Sequence, residues 1–143
     1  MAATSIWLAA AVLTQIAIAF VLLWILGAIR VPLVAGGRIP MADIALSHEP
    51  WPEHEKRVSN AFDNQFQLPV LFYVLTILAM ITRHADFLFV VMAWLFVLTR
   101  LAHAFVHTGS NYIRYRFNAF ALGFLILLIM WIIFAVRILL GLP

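Results

Sequence analysis

The sequence contains no cysteine, and only 10% of its residues are charged. Without a thiol there is no cysteine nucleophile, no iron–sulfur ligation and no disulfide framework, although the compartment stays undecided. Soluble globular chains carry roughly a quarter of their residues as Asp, Glu, Lys and Arg. With 66% hydrophobic residues the chain therefore falls outside that class and reads as an integral membrane protein. Charge is missing altogether before Arg30. The first apolar stretch thus lacks a basic leader and exceeds the core of a signal peptide, which predicts a retained span. The formal charge of +3 rests on few groups. It does not imply nucleic acid, because basic residues beside spans usually set topology. No internal repeat or low-complexity segment is present.

Four hydrophobic segments are present, at about residues 5–29, 52–82, 87–107 and 115–140. Each has about 20 residues or more, enough at a 1.5 Å rise per residue to cross a hydrocarbon core of roughly 30 Å. The expected fold is all-α, an integral membrane four-helix bundle forming a single domain over 1–143. Arg30–Trp51 contains Pro32, Pro40, Pro50 and the pair Gly36-Gly37, so it reads as an irregular loop. Pro52 suits the first turn of a helix, where the dipole favours Glu53 and Glu55. Arg83-His84-Ala85-Asp86 reads as a short hairpin. Arg30, Arg38, Lys56, Arg57, Arg100, Arg114 and Arg116 lie with the first and third connections, against Arg83 and Arg137 on the other side. This asymmetry predicts that both termini lie outside the cytoplasm.

The second segment opens with polar residues running directly into apolar ones. At 100° per residue Arg57, Asn60, Asn64 and Gln67 fall within roughly 80° of one another, with Asp63 about 40° beyond. Such a face cannot meet lipid, because burying an unpaired amide or carboxylate in hydrocarbon costs several kcal/mol, so it is expected to line a bundle interior or a wet cavity. In the third segment Arg100, His103 and His107 occupy i, i+3 and i+7, within roughly 60° on one face and at the same end of the bundle. The two stripes are expected to face each other. With arginines concentrated around them, the arrangement suits a polar anion from the cytoplasm meeting an apolar partner from lipid.

Each stripe has a plainer reading. Lys56, Arg57 and Arg114 also fit side chains snorkelling to the membrane interface. Asn60, Asn64 and Gln67 also fit an interhelical hydrogen-bond network. His103 and His107 have metal-ligand spacing but no third ligand near them in sequence, so no metal is assigned.

A first span ending Gly27-Ala28-Ile29-Arg30 is followed by a Pro/Gly-bearing loop, then Arg57-Val58-Ser59-Asn60-Ala61-Phe62-Asp63-Asn64 with Pro69 beyond. Thr99-Arg100-Leu101-Ala102-His103 and the basic entry Arg114–Arg116 complete the order. Over essentially the whole chain this resembles the MAPEG family, the membrane-associated proteins of eicosanoid and glutathione metabolism, in a divergent form of bacterial type. The resemblance implies a four-helix subunit, a homotrimer, and glutathione bound between neighbouring subunits near the cytoplasmic face. It implies glutathione contacts for Arg30, Arg57, Asn64, Arg100, His103 and Arg116, to which Asn60, Gln67 and Arg114 are added from their position in the same polar region.

Three positions depart from the family pattern. Asp63 stands where an arginine is usual, Gln67 where a glutamate is usual, and His107 where an aromatic hydroxyl is common. A carboxylate at Asp63 repels a carboxylate of glutathione, and Gln67 removes a partner for its amino group. The implied activity is that of a glutathione transferase or peroxidase acting on a lipophilic electrophile delivered from membrane lipid. Arg116 together with Arg30 would stabilise the thiolate, and His107 would act as donor or base. Two further classes remain open: a non-catalytic membrane subunit whose partners are other membrane proteins, and a lipid- or quinone-binding module.

Overall fold

The structure, a computed structural model, describes residues 2–142. Its elements are α1 (Ala2–Ala35), α2 (Met41–Ile44), α3 (Glu53–Asp63), a 3₁₀ turn (Asn64–Phe66), α4 (Leu68–Ile81), α5 (Phe87–Thr108) and α6 (Ile113–Leu140). Four helical stretches are long and apolar enough to cross a membrane: α1, the α3–α4 unit, α5 and α6. The chain is therefore an all-helical, multi-pass membrane protein. The lipid-facing surface follows from composition, with large apolar side chains such as Phe20, Trp24 and Phe87 exposed and no water in the bilayer core to penalise them.

Two expectations need correction. The first helix does not end near Arg30 but continues to Ala35 with Pro32 inside it, so the irregular connection is shorter than the sequence implied and contains the four-residue helix α2. The second segment is not one uninterrupted helix. Pro69 lies in the first turn of α4, where it has no N–H to donate to the Gln65 carbonyl and its ring crowds that carbonyl. The break falls just before it, at Gln67, with φ −103° and ψ −106°.

The core is built along α5. Phe72 of α4 stacks on Phe96 at 4.7 Å between ring centroids, and Phe89, Ala93 and Phe96 are fully buried. α6 comes close to α5 at Gly123, where an added Cβ would lie 2.6 Å from Thr99 Oγ1. A side chain there would push the helices apart, so the glycine sets the spacing. Deeper in the bundle, Gln15 of α1 donates to Gln65 Oε1 at 2.8 Å while Gln65 donates to the Ala61 carbonyl at 3.0 Å. This buried amide pair pins α1 to the helix break.

The two ends of the bundle are closed by different polar ties. At one end Arg30 of α1 bonds Glu55 of α3 at 2.6 Å, and Arg57 of α3 donates to the Gly109 carbonyl after α5 at 3.0 Å. At the other end Asp86 caps α5 through the Phe89 N–H at 2.9 Å. The same carboxylate pairs with Arg137 of α6 at 2.7 Å.

Candidate functional site

The ordered polarity of α3, α5 and α6 converges on one cavity of about 550 Å³. Asn60, Asp63, Asn64 and Gln67 form one wall, His103 and His107 of α5 the next, and Ile113, Arg116, Phe117 and Phe120 of α6 the third. The α3 and α5 stripes meet here because α5 packs against both α3 and α6. Although the helix tightens to a 3₁₀ turn after Asp63 and breaks at Gln67, Gln67 still shares the cavity with Asn60 and Asn64.

Arg116 is the cation of the α6 wall. Its Nη1 donates to His107 Nε2 at 3.0 Å and to Asn111 Oδ1 at 2.8 Å. A guanidinium has no acceptor, so His107 Nε2 must be the unprotonated nitrogen of a neutral ring whose N–H is at Nδ1. Asn111 reaches its place from a left-handed backbone with φ 50°, a conformation asparagine tolerates better than most residues. Its own N–H bonds the Val106 carbonyl at 2.7 Å, closing the turn.

Behind the histidines lies Arg100, fully buried. Its Nη2 donates to His103 Nδ1 at 3.1 Å, and its guanidinium sits 5.5 Å from the Phe120 ring centroid. Nε and Nη1 have no hydrogen-bond partner. Among the described residues neither Arg100 nor Arg116 takes part in an ion pair, whereas Arg30, Lys56, Arg57 and Arg137 each do. Two cations without an ion pair thus stand at the site, with the Asp63 carboxylate also in the cavity lining. That condition is costly in a low-dielectric region without an anion.

Other candidates fall elsewhere. Arg30 pairs with Glu55, donates to Ser59 Oγ at 3.2 Å and lies over the Trp51 ring at 5.0 Å. It lines a second, largely apolar cavity beside the loop after α1. Arg57 is committed to Glu53 and the Gly109 carbonyl. Arg114 is exposed and outside the cavity lining. No group of three or more His, Cys, Asp or Glu among the described residues is arranged to hold a metal ion.

Glu55 and Asn111 carry little local signal of their roles. An acid in the first turn reads as a partner of the helix dipole, yet Glu55 is fully buried beneath Arg30. Its i, i+4 spacing from Ser59 was the available signal. Asn111 sits in a Gly-Ser-Asn turn and gives no sign of facing Arg116.

The family model for the MAPEG family matches residues 7–136, nearly the whole chain. The chain belongs to the MAPEG family. Membership makes it a membrane protein of the eicosanoid and glutathione metabolism type, and MAPEG proteins generally use glutathione. No curated protein and no solved structure matched the chain.

Proposed function

We propose that this MAPEG protein is a glutathione-dependent transferase or peroxidase acting on lipophilic electrophiles that enter from the bilayer. The observation carrying this reading is the pair Arg100 and Arg116, two cations without a carboxylate partner, one buried behind the polar cavity and one in its wall. An anionic ligand relieves both. Bound glutathione would supply a thiol whose free pKa lies near 8.5 and which becomes a good nucleophile only once its thiolate is stabilised. Arg116 is the group for that task, held in place by His107 and Asn111. Arg100 adds positive potential through His103. Asn60, Asn64 and Gln67 offer neutral amide contacts to a peptide. Phe117 and Phe120 supply an apolar side for the electrophile.

Arg30, Arg57 and Arg114 are proposed as ligand contacts only across a subunit boundary, since none lines the cavity of its own chain. This fits a homotrimer with the cavity opening to the cytoplasm. A non-catalytic subunit remains the second reading, favoured by Asp63 in a cavity proposed for an anion. Calorimetric titration of the purified protein with glutathione, together with a conjugation assay on an aryl halide, tests the proposal. Saturable binding that is lost in Arg116→Ala is expected. Absence of binding at millimolar glutathione would transfer the case to the non-catalytic subunit.

A further inference from the structure

Asp63 has no ion-pair partner among the described residues, although it lines two cavities. The first is the site above. The second, of about 530 Å³, lies toward the loop and shares Asn60 and Asp63 with it. Lys56 lines the second cavity together with Asp63 but is paired with Glu49 at 3.8 Å. Arg116, the cation of the first cavity, is bonded to His107 and Asn111 on the α6 side. The α3 wall therefore ends in a carboxylate that the protein leaves uncompensated.

Its neighbour strengthens this polarity. Asn64 Nδ2 donates to the Asn60 carbonyl at 2.8 Å. Because a carbonyl accepts only, the Asn64 amide is fixed in orientation with one N–H committed, and its Oδ1 stays free to accept. His107 is neutral because it accepts from Arg116. The cavity is consequently dipolar, with the Asp63 carboxylate on the α3 wall and the Arg116 guanidinium on the α6 wall.

We infer that Asp63, assisted by Asn64 Oδ1, is a subsite for the ammonium group of the ligand. The cavity then selects a thiol that bears a free amine over one whose amine is blocked. This rests on the glutathione reading for the identity of the thiol. The same charge that repels a ligand carboxylate attracts its ammonium, so Asp63 orients the ligand with its amino group toward α3 and its thiolate toward Arg116.

The test compares binding of glutathione and N-acetylglutathione to the trimer-sized or native-mass protein and to its Asp63→Asn and Asp63→Glu variants. Amphiphilic S-octylcysteamine and its N-acetyl form make a second pair that carries no carboxylate. The wild type is expected to prefer each free amine by tenfold or more. Asp63→Asn should reduce that preference to within twofold, and Asp63→Glu should keep most of it. Equal wild-type binding of both members of both pairs overturns the subsite, as does equal tightening of both by Asp63→Asn. If glutathione fails to bind any form while S-octylcysteamine retains its Asp63-dependent preference, the glutathione reading falls and the ammonium subsite stands. If neither amine binds in an Asp63-dependent way, the subsite is wrong.

Discussion

Arg116 donates to His107 Nε2 at 3.0 Å, and this one bond settles what each residue has to offer a ligand. The histidine is spent as an acceptor on that nitrogen, so it works first by fixing the guanidinium. The guanidinium keeps its remaining N–H groups for the cavity. His107 also lies in edge contact with His103, ring centroids 5.5 Å apart, and His103 in turn accepts from Arg100. Two arginines from different helices are thereby coupled through two neutral imidazoles.

Arg116→Ala should lower conjugation or peroxidase turnover by about 10²- to 10³-fold, the usual effect of deleting one donor that stabilises developing negative charge. Thermal stability and mass in detergent should hold. His107→Leu leaves Arg116 charged but loosely held, and about a tenfold to hundredfold loss is expected from misplacement alone. Steady-state kinetics of both variants check the order. A His107→Leu enzyme as inactive as Arg116→Ala would give the imidazole a direct chemical role.

At the end of α1, Glu55 is fully buried and one of its oxygens has no partner, so its charge depends on Arg30. Arg30→Ala should destabilise the protein by about 2 to 4 kcal/mol, toward the lower side of the range for broken buried pairs because Arg30 itself is partly exposed. The double variant Arg30→Met/Glu55→Leu should recover most of that loss, since an apolar pair of similar volume replaces two desolvated charges. Denaturation in mixed micelles measures both. Equal stability of Arg30→Ala and wild type would mean that water reaches Glu55.

The sequence carried the fold further than the site. Four apolar runs fix the spans, because nothing else satisfies the backbone in lipid. The stripes on α3 and α5 were legible because residues three and four apart share a helix face, which brought Asn60, Asn64, Gln67, His103 and His107 to one cavity. Arg30 looked equivalent to the other arginines, and only Glu55, 25 positions away, shows where its guanidinium is spent. The Gln15–Gln65 pair spans 50 positions and left no local mark. Pro69 was visible, but the bend it causes falls two residues earlier, at Gln67.

At the opposite end, partial burial pulls the Asp86 carboxyl upward, but the Arg137 hydrogen bond, the Phe89 N–H and the Arg137 charge outweigh it. The group is held below its ordinary value of 3.8. Its contribution is complete above that ordinary value and disappears as pH falls through the lower folded-state value. Thermal stability of the wild type should therefore decline below about pH 4, by no more than about 1 kcal/mol for so exposed a pair. Asp86→Asn should flatten this part of the profile while keeping an acceptor for the Phe89 N–H. An unchanged slope in Asp86→Asn would assign the acid sensitivity to another carboxylate.

Basic residues are concentrated at the end that carries the cavity, which argues for a cytoplasmic mouth. A cysteine introduced at Gly36 should resist an impermeant maleimide applied to intact cells, and one introduced at His84 should react. The absence of native cysteine makes either label unambiguous. The reverse labelling pattern would invert the orientation and put the ligand supply on the other side.

Assembly follows from what the single chain leaves open. α1 contributes nothing to the cavity lining, and Arg30 and Arg114 stay outside it. Around the same end Phe105, Ile113, Tyr115 and Phe117 are all more than half exposed. A neighbouring copy packed against α5 and α6 would cover these side chains and close the cavity from lipid. Light scattering in detergent should give about three chains of 16.2 kDa. Phe105→Lys, which puts a charge on that face outside the cavity lining, should shift the mass toward one chain and weaken glutathione binding together with it. A wild-type monomer that still binds glutathione would remove the need for a second subunit at the site.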